Sequence, residues 1–189
     1  MVQSFRMAST SREAIRVIGI DPGLNITGYG VVASQGSDVK LLEAGVIRLP
    51  ASRGQNLPAR LESLFRELQA VMREFKPQAM CLEEVYSHAD FPRTAILMGH
   101  ARGVICLAAK LAGIPVLSFS AKRVKQSVTG NGNASKLQVQ RCVQHFFSLG
   151  RTPHPPDVAD ALAVTLCYIN GMRCGHHDKR NSKIEIRKS

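Results

Sequence analysis

Hydrophobic and polar positions fall along this chain in patterns that predict ten elements. Residues 16–21 and 27–34 read as strands, divided by Asp21-Pro22-Gly23 and Asn25, which carry turn chemistry. A third strand covers 40–49, alternating around LLEAGVIRL. From Leu57, apolar residues recur at Leu61, Leu64, Leu68, Val71 and Phe75, a helical stripe that Pro77 ends. QAMCLEEVY, 78–86, is a short apolar strand finishing in two carboxylates. Residues 93–112 form a helix with Ala95, Gly99 and Gly103 at four-residue spacing, Gly113 caps it, and IPVLSF is a fifth strand. Ser120 is the N-cap of a helix reaching about Val128, and the polar loop TGNGN follows. Another helix runs from about Ser135 to Leu149, and Pro155-Pro156 open a last one over 156–170. Three strands followed by alternating units imply an α/β fold, a five-stranded mixed sheet flanked by helices. With no repeat or linker, 16–171 reads as one domain between a leader, 1–15, and a basic flexible tail, 172–189.

Composition narrows the class. At 189 residues and 44% hydrophobic, the chain is long enough and apolar enough to bury a real core. No apolar run approaches the ~20 residues a membrane helix needs, and the leader lacks the apolar segment of a secretory signal. Five cysteines without a CxxC, four of them inside apolar patterns, suit reduced thiols in a cytoplasmic protein. Cys174 with His176 and His177 is a weak metal candidate, since it sits in a basic tail.

Charge changes the picture more. The net charge is +11, and residues 91–156 hold nine Lys or Arg but no Asp or Glu. Solvated faces would explain some of this, but a long one-signed stretch is what a polyanion needs, and nucleic acid is the default partner. Few aromatics and no Trp argue against a base-stacking platform.

Against that background, a few acids stand out because they lie in apolar elements. Asp21 ends the first strand, Glu83 or Glu84 ends the fourth, and Asp157 and Asp160 share a face of the last helix's first turn. Each has a plain structural explanation: Asp21 as a turn opener, Asp157 as a complement to the helix dipole, Asp160 as a cap or ion-pair partner. Together they need compensation, because neighbouring buried carboxylates raise one another's pKa unless a cation joins them. Hard oxygen ligands select Mg²⁺ or Mn²⁺. Two such ions about 4 Å apart would activate water and stabilise the leaving oxygen of a phosphodiester. This chemistry is that of a metal-dependent nuclease.

GIDPGLNITGYGVV, LEEVY, GHARGV, VKQSVTGNGNASKLQV and PPDVADALAV, in this order, closely resemble the RuvC family of Holliday junction resolvases over about residues 16–171. The first motif alone is unspecific; the VKQ–GxGxAxK–QV stretch joined to DxxDALA is far more specific. The resemblance implies an RNase H-like fold and a homodimer that nicks two opposing strands of a four-way DNA junction. It also implies cooperation with the RuvAB branch-migration complex. The family's catalytic and metal-binding carboxylates fall on Asp21, Glu83, Asp157 and Asp160, with Glu83 chosen over Glu84 because it stands three residues before an aromatic, Tyr86. By the same match Lys125 and Lys136 approach phosphate and Tyr86 stacks at the junction centre. Gly99 and Gly103 fit the family's dimer helix, the alternative being close packing of that helix on its own sheet. Two departures stand out: His100 replaces a usual Gln, and the segment between Tyr86 and Gly99 is about one residue longer.

Three rival functions are separable. An RNase H-fold nuclease of RNA–DNA hybrids or structured RNA would depend on 2′-hydroxyls. A non-catalytic junction-binding module would gain nothing from four anions facing phosphate. An actin-like phosphotransferase needs two large lobes, for which 189 residues leave no room.

Overall fold

The computed structural model describes residues 14–49, 56–84 and 92–174, with side chains at 92 and 93 left aside. Most of the leader, most of the tail with His176 and His177, and Tyr86 lie outside the described residues.

The sheet has five strands: β1 (Ile15–Asp21), β2 (Ile26–Gln35), β3 (Asp38–Arg48), β4 (Ala79–Glu83) and β5 (Val116–Phe119), in the spatial order β3-β2-β1-β4-β5. The first three form an antiparallel meander, while β4 and β5 run parallel to β1. Both faces are buried, which explains why β1 and β4 read as nearly continuous apolar runs. On one face α1 (Leu57–Phe75) and α2 (Pro92–Leu111) cover Ile18, Ile20, Val31, Met80 and Leu82. On the other, α3 (Ala121–Thr129), α4 (Lys136–Phe146) and α5 (Pro156–Arg173) cover Val17, Val32, Ala79 and Cys81.

Local chemistry sets the helix ends. Asn56 caps α1 by accepting from the Ala59 amide, and Leu64, Leu68 and Met72 form its buried stripe. Burying each of the two leucines contributes about 2 kcal/mol. Ser120 caps α3, and Gly130, at φ 76°, ends it in the left-handed region where glycine carries no Cβ penalty.

Three boundaries differ from expectation. β4 stops at Glu83, with Glu84 beyond the strand. α5 continues to Arg173. α4 ends at Phe146 rather than Leu149: Ser148 turns to φ 51° and the Leu149 amide folds back onto the Gln144 carbonyl, so the apolar run Phe146–Leu149 closes a helix instead of extending it.

α2 also corrects an expectation. Its window Thr94–Leu111 is long and apolar enough, by length and composition, to cross a membrane. In the fold Ala101, Ile105, Ala108 and Ala109 pack on the sheet, so it is a helix of the domain. Its opposite side is open: Ile96, Leu107 and Leu111 are exposed, and a Cβ at Gly99 or Gly103 would meet nothing within 4 Å. Close packing on its own sheet is therefore not what these two glycines serve.

Candidate active site

Strand alternation brings the acids to one face. Along β1, Ile18 and Ile20 point to the α1/α2 side, so Val17, Gly19 and Asp21 point to the α5 side. Along β4, Met80 and Leu82 take the α1/α2 side, leaving Cys81 and Glu83 with Asp21. Ile20 is in register with Leu82, which sets Asp21 and Glu83 side by side at the carboxyl ends of neighbouring parallel strands. Parity and register together set Glu83, rather than Glu84, beside Asp21, which alternation without register could not show.

The turn after Asp21 is locked. The buried Thr27 hydroxyl donates to the Gly23 carbonyl and accepts from the Gly23 amide. Arg60 of α1 donates to the Leu24 and Leu49 carbonyls and to Asn25 Oδ1.

Glycines let α5 close over this end. Asp21 pairs with Gly28 across β1 and β2, and a Cβ at Gly28 would lie 2.1 Å from the Asp157 carbonyl oxygen. At Gly19 a Cβ would lie 2.2 Å from both the Ala161 carbonyl oxygen and Thr165 Oγ1. The bare backbone thus seats the first turn of α5, which carries Asp157 and Asp160, against the strand end that carries Asp21. The spacing of Gly28 and Gly30 on one strand face was a signal that motif reading passed over.

The electrostatics follow. The Asp21 carboxyl is pushed up to about 8, first by burial and then by the charges of Asp160, Glu83 and Asp157. Glu83 is also raised, by burial and by Asp160, with Lys136 and Lys125 opposing. Lys136 donates to Asp160 Oδ2 at 2.7 Å. Burial alone would lower the Lys136 ammonium, but the hydrogen bond and charge of Asp160, with Asp21 and Asp157, raise it. A capping box holds Lys136 at the first turn of α4: Ser135 accepts from the Gln138 amide and Gln138 Oε1 accepts from the Ser135 amide. Gln126 braces the preceding loop, donating to the Gly130 carbonyl and accepting from the Gly132 amide.

These contacts revise the view of residues 91–156 as unpartnered cations. Lys136 is paired with an acid just beyond that stretch. Arg102 donates at 2.7 Å both to the Glu83 carbonyl and to Ser118 Oγ, tying α2 to the ends of β4 and β5. The Arg123 guanidinium lies 5.2 Å from the Phe119 ring centre. Neither arginine's role was visible in sequence, because both depend on which strand ends meet a helix.

Among the described residues, no three His, Cys, Asp or Glu side chains are gathered tightly enough to hold a metal ion as they stand. The donor set nevertheless suits one: hard oxygens, a carboxyl that keeps its proton to about pH 8 for want of positive charge, and an ammonium supplying part of that charge. A stability prediction follows. Between about pH 4 and 8 the folded, metal-free chain holds a proton on Asp21 that the unfolded chain has released. Its stability therefore falls as pH rises through that window and levels above it. Thermal melts in EDTA should show a fall in Tm of roughly 5 °C or more, and the fall should shrink in Asp21→Asn and in 10 mM Mg²⁺. A Tm that is level or rising over that range would contradict the buried, anion-crowded setting of Asp21.

A sheet of this order, with acids at the ends of β1 and β4 and on the first turn of a helix laid across them, defines a nuclease-like α/β protein of the RNase H type. Comparisons with known proteins agree. The family described as crossover junction endodeoxyribonuclease RuvC matches residues 17–168. The RuvC of Rhodopirellula baltica is 50% identical over 151 residues, 80% of this chain and 84% of that protein. That of Syntrophomonas wolfei is 43% identical over 159 residues, 84% and 91% respectively. A structure titled as Thermus thermophilus RuvC in complex with Holliday junction substrate superposes with a TM-score of 0.78 at 33% identity, covering 85% of this chain and 96% of that one. The chain belongs to the RuvC family of crossover junction endodeoxyribonucleases.

Proposed function

We propose that this chain resolves Holliday junctions as a homodimer, making paired symmetric nicks by metal-dependent phosphodiester hydrolysis in recombination and repair. The observation that carries this is Asp21, whose carboxyl is raised to about 8 amid three other acids on one sheet face of a RuvC-family chain. Asp21, Glu83, Asp157 and Asp160 are the proposed catalytic set and the ligands of two Mg²⁺ ions, with Mn²⁺ able to substitute. When bound, such ions supply Lewis-acid charge at the scissile phosphate and lower the pKa of the attacking water.

The chain's own groups do the rest. Asp21 would hold an ion as the carboxylate, and its locked turn keeps that group at the strand end. Lys136, released from Asp160, swings to a phosphate oxygen; its half-exposed side chain leaves room for that movement. Lys125, close enough to Glu83 to act on its charge, is the second proposed phosphate contact. Tyr86 keeps its proposed stacking role at the junction centre. Specificity comes from junction shape, with backbone contacts supplying affinity. An enzyme acting on chromosomal junctions would be cytoplasmic, and its proposed partner is the RuvAB branch-migration complex.

The open face of α2 supports the dimer, since Gly99 and Gly103, flanked by the exposed Ile96 and Leu107, let a second helix approach closely. Leu107→Glu should give a monomer by light scattering and turn paired nicks into uncoupled single ones. A variant that stays dimeric would put the interface elsewhere.

The functional test is cleavage of a labelled mobile four-way junction, its matching linear duplex and an RNA–DNA hybrid, in Mg²⁺ and in EDTA. Paired, ligatable, Mg²⁺-dependent nicks in the junction alone are expected. Cutting of the hybrid instead would make the chain a ribonuclease of the same fold.

A further inference from the structure

Beside the acid cluster lies a groove of about 720 Å³ that the proposed contacts do not use. One wall is the end of edge strand β3, with Val46 and Arg48; the other is the loop 149–155, with Arg151, Thr152 and His154. Arg48, Arg151 and His154 are exposed, and among the described residues no carboxylate lines the groove.

Its position follows from the sheet. Ala44 and Val46 pack on the α5 side, so alternation turns Arg48 to the face that bears Asp21. Asp21 pairs with Gly28 and Gly28 with Val46, while Arg48 pairs with Ile26. Two inter-strand steps and two residues along β3 place Arg48 roughly 12 Å from Asp21, at the same end of the sheet. The opposite wall leads directly into the first turn of α5, where Asp157 lies. That loop is preformed: Gln144 donates to the Leu149 carbonyl at 3.2 Å and accepts from the Thr152 hydroxyl at 3.0 Å.

The lining chemistry selects the ligand. Guanidinium forks match phosphate oxygens, and without acids in the groove the field is of one sign. Among the described residues no Phe, Tyr or Trp lines it, so it lacks the aromatic platform that stacks successive bases. We propose that this groove takes the sugar–phosphate backbone of a junction arm, with Arg48 and, across the groove, Arg151 binding its phosphates; at 3.4 Å of axis per residue the Arg48 contact falls roughly three nucleotides from the cleaved bond. This rests on the junction-resolving function above.

The test is the salt dependence of junction binding, by fluorescence anisotropy in EDTA so that nothing is cut. The Arg48→Ala/Arg151→Ala double variant should bind about tenfold more weakly at 100 mM salt, with the slope of log K against log salt reduced in magnitude by about 2. Lys40→Ala/Arg66→Ala is the control: it removes two charges that are ion-paired elsewhere, with Asp38 and Glu62, and should keep the wild-type slope. A groove variant with the wild-type slope, or a control that loses as much, overturns the proposal. The groove variant's Tm should match wild type, because both side chains are exposed; should it not fold, Arg151→Gln alone should reduce the slope by about 1, and an unchanged slope overturns the proposal equally. A wild type that cuts no junction overturns the function itself, a result visible before any variant is compared.

Discussion

Asp21→Asn should lower junction cleavage at saturating Mg²⁺ by roughly 10³-fold, about 4 kcal/mol of barrier, while junction affinity stays within about twofold. The expected split comes from what the carboxylate faces. Asp21 lies among three other acids, whose charges outweigh the opposing one of Lys136, so its charge opposes phosphate and serves a cation between them. Asparagine keeps the size and one hard oxygen but removes the charge that a divalent ion needs. It also relieves the metal-free repulsion, so the variant should melt higher than wild type in EDTA at pH 8. That combination of a more stable protein, intact binding and lost cleavage is what a functional acid produces. Equal loss of binding and cleavage, measured by anisotropy and single-turnover nicking, would make Asp21 a structural turn residue.

Gly28→Ala should do comparable damage by another route. The new Cβ would fall 2.1 Å from the Asp157 carbonyl oxygen and 3.0 Å from Asp157 Cβ. Both the strand and the helix end are backbone, so no flexible side chain can move aside. Either α5 lifts from the sheet or the β1–β2 pairing opens at Asp21. The cost is about 3 kcal/mol or more, a fall in Tm of roughly 10 °C. Because the displaced element carries Asp157, cleavage should also fall at temperatures where the variant remains folded. Gly36→Ala is the contrast: a Cβ there meets nothing within 4 Å, so only the strain of its φ of 59° is left. A folded Gly28→Ala with wild-type cleavage would show that α5 need not lie flush on β2.

Much of this was legible in the chain, for identifiable reasons. The strands β1–β3 and the stripe of α1 have strong periodicity and clear turn residues. Ser120 announces α3 through capping chemistry. Acids inside apolar runs marked Asp21, Asp157 and Asp160 as unusual. What sequence could not supply was pairing. The family motif already pointed to Glu83, but its register beside Asp21 is seen only in the sheet, and the ion pair of Lys136 with Asp160 crosses from one helix start to another. Arg102, counted among cations awaiting phosphate, holds a strand-end carbonyl. The exposed face of α2 was invisible because its composition is that of a buried helix. The end of α4 was missed because Phe146, Phe147 and Leu149 continue an apolar pattern through a turn.

The acids stand close enough to raise Asp21, yet as they stand Lys136 holds Asp160 and no three side chains gather on an ion. Diffraction from crystals soaked in Mn²⁺, read at the manganese absorption edge, tests that arrangement most directly. Two anomalous peaks among Asp21, Glu83, Asp157 and Asp160, with Lys136 turned away from Asp160, are the expected result. Manganese bound elsewhere, or no peak with Lys136 still on Asp160 at saturating Mn²⁺, would contradict a two-metal nuclease built on these four carboxylates.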